Sequence, residues 1–416
     1  MKFKYALLSL ALFTTASLFG QNKPQPAFTP YADNFSDKLQ KAYDKRDAET
    51  GRKLVEDFAT QYNKLSREDK VYFGGNITNA YYNLSCIYAI TNSKEKALQY
   101  LDSAVVKGYT DYKHLGEDTD FANIKAEPGF TAIRTKIRSI GDYLYILQKA
   151  GKYNSAQKRV IPAFSYQPAT APALVALRKK FNLDSVAGTG TDLEKMKNLL
   201  HWVHNTVNHD GQHESGIKLI NADEIIGAAR SRKVGVSCGE LASVLQDCYL
   251  AMGWKARKVY CFPKDSLKTD FDSHVINVVY LPANQKWIWM DPTNNAYVTN
   301  DKGEMLGIEE VREGLVNNKP LVLNTDANWN NRQVITKNFY LYNYMAKNLY
   351  MLYSPIKSEF DYQTPGKNRS VGYVMLLPLE YYVQTPDKTV NVNRETNTTV
   401  TRYRTNNAVQ FWSVEE

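Results

Sequence analysis

Residues 192–207 place Met196, Leu199, Leu200, Trp202 and Val203 on one helical stripe, with Asp192 positioned to cap the start. Residues 239–252 repeat the pattern through Leu241, Val244, Leu245, Cys248 and Met252, and Gly253 stands where a helix ends. The period then changes. Residues 275–281 and 286–290 read as strands around the turn Pro282-Ala283-Asn284-Gln285. If Leu281 pairs with Lys286, Ile276 faces Asp291, and His274 lies two residues along on the same sheet face. That diagonal is about 7 Å between Cα atoms, within side-chain reach. A slip of one residue would send the two side chains to opposite faces.

The flanks read differently. Residues 35–73 are helical in pattern, with Asn34 able to cap. Residues 81–109 resemble a tetratricopeptide helix pair, with Tyr81, Leu84, Tyr88, Ala97 and Ala104 at its packing positions. Such a unit binds peptides in a groove or props a neighbouring domain. Residues 142–166 suggest a helix and then a proline-containing connection. Past Val311, residues 324–331 are loop-like, 338–353 have helical spacing, and 370–383 and 390–412 are strand-like. The tail is expected to be an antiparallel β extension or a small separate β domain. The fold class is therefore α+β.

Three residues in this frame carry chemistry. Cys238 falls at a helix start, where free N–H groups and the positive dipole end favour a thiolate. The same N–H groups can hold an oxyanion, and Gly239 offers no side chain to obstruct a carbonyl. His274 and Asp291 sit on paired strands. Each alone reads as structural: a core thiol, a polar strand residue, a turn former before Pro292. In this order they make a nucleophile, its base and the residue that orients the base.

The segments Val236-Ser237-Cys238-Gly239-Glu240-Leu241-Ala242, Ala251-Met252-Gly253-Trp254-Lys255-Ala256-Arg257 and Trp289-Met290-Asp291-Pro292-Thr293, with the His274 strand, resemble the transglutaminase-like superfamily. The resemblance runs from about residue 192 to 324. It implies a papain-like fold with Cys238 as nucleophile, His274 as general base and Asp291 as its orienter. Many relatives place an aromatic residue upstream of the Cys to help hold the oxyanion. Trp202 and the Asn208-His209-Asp210 segment are the candidates here. The family includes cross-linkers, peptidases, amidases and catalytically dead binding modules.

A competing pattern lies close by. His201, His204, His209 and His213 crowd together with Asp210 and Glu214, at metal-ligand spacing. His201 and His204 are three apart on the 192–207 helix and could share a face. Gly211 makes the following run a loop, and no HExxH motif is present. The expectation is a polar loop lining the cleft rather than a metal site, with no cofactor.

Residues 1–20 read as a secretory leader: Lys2 and Lys4, then an apolar core at 6–13, then Gly20. That run is too short to span a bilayer comfortably and no later run reaches its length, so membrane insertion is not expected. The formal charge of +9 has no dense Lys/Arg run behind it, which argues against nucleic-acid binding. Cys248 and Cys261 could pair in an oxidising compartment or remain buried thiols.

These readings give a leader at 1–20, a helical domain at 21–145, a catalytic domain at 155–325 and a β-rich extension at 326–416. The expected function is an exported cysteine acyltransferase or hydrolase acting on a peptide or protein substrate, exported to the periplasm or beyond the cell. A protein partner could dock on the helical domain. The alternatives are a non-catalytic scaffold using that domain and the cleft, and a metallohydrolase using the histidines between His201 and His213.

Overall fold

A computed structural model describes residues 26–156, 158–264, 272–379 and 385–414; the leader at 1–20 lies outside them. The chain divides into two compact units, the first ending at Asp142 and the second beginning at Tyr143. No helix among the described residues is long and apolar enough to cross a membrane.

The first unit is helical. The pattern at 35–73 resolves into helices Thr29–Asp44, Ala48–Asn63 and Arg67–Tyr72. Asn34 lies inside the first of these, which starts at Pro30's turn with Phe28 as its capping residue, so the expected Asn34 cap is not formed. A proline in a first turn costs no helical hydrogen bond, so the helix can begin earlier than its apolar stripe suggests. Helices Gly74–Ile90 and Lys94–Val106 cover 81–109, with Leu84, Tyr88, Ala97 and Ala104 buried.

The second unit is built on a central helix, Cys238–Ala251, whose residues from Leu241 to Ala251 are all buried. Each buried Leu or Val is worth about 1.5–3 kcal/mol, so packing rather than propensity fixes this helix. Met252 caps it, and Gly253 follows at φ +93°, the left-handed turn a glycine accepts without strain. The preceding helix is Asp192–Thr206, capped by Thr191 rather than Asp192: Thr191 and Glu194 form a reciprocal capping box.

The sheet has seven strands: β1 (Ala256–Phe262), β2 (His274–Leu281), β3 (Lys286–Met290), β4 (Met351–Pro355), β5 (Ser370–Leu376), β6 (Lys388–Val392) and β7 (Thr399–Thr405). Their order is β6-β7-β5-β4-β1-β2-β3. The tail thus continues the sheet that carries His274. It is not wholly antiparallel, because β5 and β7 run parallel. Residues 351–353, given helical spacing by the sequence, open β4, and residues 408–412, given strand character, form the helix Ala408–Trp412. Both segments are short and largely apolar, where periodicity alone does not separate helix from strand.

Polar side chains bolt the central helix to the sheet. Buried Lys258 donates from Nζ to Ser243 Oγ at 2.6 Å, and its backbone N–H donates to Gln246 Oε1. Asn277 Nδ2 donates to the Ala242 carbonyl at 2.9 Å. Burial lowers the Lys258 ammonium to about 8 and raises the neighbouring Asp247 carboxyl to about 7. Cys86, Cys238, Cys248 and Cys261 are all free thiols.

Candidate active site

Cys238 is the first residue of the central helix. Ser237 caps it: Ser237 Oγ accepts the Glu240 N–H, and Glu240 Oε2 accepts the Ser237 N–H at 2.7 Å. The Ser-x-x-Glu spacing was a readable signal for this start. The Leu241 N–H bonds the Ser237 carbonyl. The N–H groups of Cys238 and Gly239 therefore stand outside the helix's own bonding, as the first amides of any helix do. A Cβ on Gly239 would meet only Val275 Cγ2 and Ser237 Oγ, at 3.8 and 3.9 Å, so the protein itself does not require glycine there.

β2 and β3 adopt the register in which Leu281 opposes Lys286. Asp291 follows directly after β3, and His274 opens β2. His274 Nε2 lies 2.7 Å from Asp291 Oδ2, with both side chains essentially without solvent exposure. An ionised carboxylate only accepts, so Nε2 carries a proton. Nδ1 is buried and has no hydrogen-bond partner, which leaves it for the thiol. Cys238, by contrast, is partly exposed.

The charges fit that division. Burial pushes the Cys238 thiol up, but His209 and His274 more than offset it, and the thiol falls to about 6. Burial pulls His274 down, but the Asp291 charge and hydrogen bond outweigh it and raise the imidazole to about 10. Asp291 is drawn below the usual carboxylate range: its burial is outweighed by His274, Asn294 and Tyr340.

Asp291 is held on every side. Its Oδ2 also accepts from Tyr340 Oη at 2.6 Å and Asn294 Nδ2 at 3.0 Å, while Oδ1 accepts the Thr293 N–H at 2.9 Å. Tyr340 opens a π-helical turn, Tyr340–Met345, and Trp289 Nε1 donates to its hydroxyl. The wider turn also brings Tyr344 against His274, with ring centroids 5.2 Å apart. Burial and the Asp291 charge push the Tyr340 phenol well above its ordinary value, so it remains a donor.

A second imidazole that helps lower the Cys238 thiol comes from the loop after the 192–206 helix. His209 pairs with Val236, two residues before Cys238, in a parallel bridge: the Asp210 N–H donates to the Val236 carbonyl and the Val236 N–H to the Asn208 carbonyl. A Cβ on Gly235 would lie 2.5 Å from Asp210 Cβ, so glycine is required there for the two segments to meet. A Cβ on Gly211 would come within 3.2 Å of His209 Cε1 and 3.4 Å of Nε2, crowding the ring's outer edge.

Residues 179–292 match the transglutaminase-like superfamily. The three residues of the Cys–His–Asp set thus fall inside a transglutaminase-like domain, whereas Tyr340 and the segment around residue 329 lie beyond it. No curated protein matches the chain. One solved structure, described as that of a candidate cysteine protease from Cytophaga hutchinsonii, is 15% identical over 36% of this chain. The alignment spans 46% of that protein with a TM-score of 0.21, too low for the likeness to carry an argument about fold.

The other predicted residues separate. Trp202, on the 192–206 helix, packs against Phe181, which caps the end of the helix Pro172–Lys180. Asp210 accepts the N–H groups of Gln212 and His213 and lies 2.8 Å from His213 Nδ1, so it closes its own turn. His204 is buried, bonded to the Pro292 carbonyl and Asn328, whereas His201 is exposed. The two do not share a face; three residues turn a helix through about 300°, enough to split them across its boundary. The four histidines do not converge as a ligand set. Among the described residues, the side chains that do come close enough to share an ion are Cys86, Asp118 and Asp120 in the helical unit. There Tyr82 and Tyr43 already donate to the two carboxylates, at 2.6 and 2.7 Å.

Proposed function

We propose that this protein is an exported cysteine enzyme that cleaves or transfers the acyl group of a peptide or carboxamide through a thioester on Cys238. The observation that carries the reading is the His274–Asp291 contact of 2.7 Å, with the other ring nitrogen left unpartnered and a partly exposed thiol at a helix start.

Sγ attacks the carbonyl carbon, and the Cys238 N–H receives the developing oxyanion. As the tetrahedral species collapses, His274 Nδ1 gives its proton to the departing nitrogen, which leaves as the amine. Asp291 holds the imidazole by Nε2 throughout. Water then attacks the thioester, Nδ1 takes one of its protons, and the acid leaves with the thiol restored. An amine in place of water gives a new amide. We favour hydrolysis, since water is always at hand.

Alkylation of folded protein by iodoacetamide tests this. Cys238 should be modified stoichiometrically, at a rate that rises through about pH 6 and not near the ordinary thiol value of 9. With the imidazole at about 10, the thiolate–imidazolium pair should persist between those limits and peptide turnover should fall on both sides. His274→Ala should move the alkylation midpoint upward and lower turnover about 10²–10⁴-fold. An unmoved midpoint would refute activation by His274. Product analysis with a primary amine present separates hydrolysis from transfer.

A further inference from the structure

Three consecutive residues beyond the transglutaminase-like region, Asn328, Trp329 and Asn330, grip the end of the 192–206 helix and the loop after it that bears His209. Asn328 and Trp329 form one arm of a short antiparallel hairpin with Gln333 and Val334. The Asn328 side chain contacts His204 Nε2 at 2.9 Å, and its N–H donates to the Asn294 carbonyl, three residues past Asp291. Asn330 clamps the His209 backbone twice: Oδ1 accepts its N–H at 2.8 Å, and Nδ2 donates to its carbonyl at 2.9 Å. Between them, Trp329 Nε1 donates to His209 Nδ1 at 3.0 Å.

The last contact has a consequence for the ring's protons. An indole N–H can only donate, so His209 Nδ1 must accept and carries no proton. The ring's proton is then on Nε2. That nitrogen is on the edge left open by Gly211 and is the one remaining for Cys238.

We propose that Trp329 is a positioning residue that locks the His209 proton on Nε2, so that His209 offers a fixed donor to the Cys238 sulfur and to the oxyanion formed beside it. This rests on the acyl-transfer reading above. It selects His209 as the donor opposite the Cys238 N–H, with a ring that needs no reorientation as charge develops.

The experiment compares two reactions of Cys238 in the full-length protein. Acylation by p-nitrophenyl acetate passes through an oxyanion; alkylation by iodoacetamide does not. At pH 8, Trp329→Phe should slow acylation about tenfold, less than the 10²–10³ that loss of a whole oxyanion donor brings, and leave alkylation unchanged. Histidine-selective ¹⁵N spectra, with His209 assigned through H209Q, should show an Nε2–H ring in the wild type and a mixture of tautomers in W329F. In an H209Q background, where the amide has no tautomers, adding W329F should cost nothing further. A wild-type ring protonated on Nδ1 overturns the proposal. So does an unchanged acylation-to-alkylation ratio in a W329F protein that melts normally. Equal slowing of both reactions marks a merely structural role and overturns it too. Wild-type protein that is alkylated but never acylated counts against the acyl-transfer reading itself, and the role of His209 falls with it.

Discussion

His274 and His209 act on the same sulfur from differently built surroundings. His274 is fully buried on a strand, and its partner Asp291 comes from the neighbouring strand of the same hairpin. Its placement follows from register, and its charge is balanced by a carboxylate with three donors on one oxygen. His209 is half-buried on a loop and held by neutral groups from residues 329 and 330. A strand pair can therefore fix a base that must change charge during the reaction, because a buried ion next to it stabilises the charged form. A loop clamped by neutral donors suits a group that keeps one tautomer. Under the proposed mechanism, the contrast gives acid–base work to one imidazole and fixed hydrogen bonding to the other.

The strongest way to break this contrast is to neutralise the buried carboxylate. In Asp291→Asn, an amide replaces an oxygen that accepts from His274, Tyr340 and Asn294, so at least one buried donor loses its acceptor. Turnover should fall about 10²–10⁴-fold, as when a catalytic imidazole takes the wrong tautomer. Stability should fall by about 2–4 kcal/mol. The sign of the pH effect is fixed by the charges: without the carboxylate, His274 drops from about 10 and protonates less readily, so the Cys238 thiol should rise from about 6. Alkylation followed against pH reads that midpoint. If it does not move, Asp291 is a structural residue and the division between the imidazoles is lost.

These differences also explain which parts the sequence made legible. The hairpin register, the helix end at Gly253 and the meeting of His274 with Asp291 all rest on local pattern: a turn of four residues, alternation, one glycine. The clamp does not. Trp329 lies 120 residues after His209, in a polar stretch with no periodicity, and nothing local marks it as a donor to a ring. Tyr340 sits in a segment whose helical spacing was visible, but the π-helical turn that brings its hydroxyl to Asp291 depends on packing against Trp289. The tail strands were recognisable as strands, yet the parallel pairing of β5 with β7 is a long-range choice that no short window records. The Asn34 and Asp192 caps were misplaced by a few residues because Pro30 and Thr191 begin those helices earlier than their apolar stripes do.

A milder change sharpens the buried side alone. Tyr340→Phe removes one of the three donors to Asp291 Oδ2 and keeps the ring packed against Trp289. A hydrogen bond to a charged group is worth about 1.5–3 kcal/mol, but two donors remain. Turnover should fall about tenfold, the lower end of that range. Asp291, with fewer competing donors, should hold the imidazolium more tightly, so the alkaline limb set by His274 should shift upward from about 10 while KM stays constant. A KM effect without a shift would mean that Tyr340 shapes the cleft instead.

The smallest expected effect comes from the clamp's backbone half. Asn330→Ala deletes both bonds to the His209 peptide and leaves the Trp329 contact in place. Because His209 is half-buried, water can replace much of what the amide supplied, so the loss should be about 1 kcal/mol in stability, or roughly 2–4 °C in melting temperature. The ring keeps its proton on Nε2, since Trp329 still occupies Nδ1. What changes is how often the ring is in reach of the sulfur, and acylation should slow about two- to threefold with alkylation above pH 7 unaltered. Here the two imidazoles part most clearly: a comparable backbone loosening beside His274 would disturb a buried ion pair and cost far more. An Asn330→Ala protein as crippled as Asp291→Asn would show that the loop carries acid–base work as well, and that the assignment of one task to each imidazole is wrong.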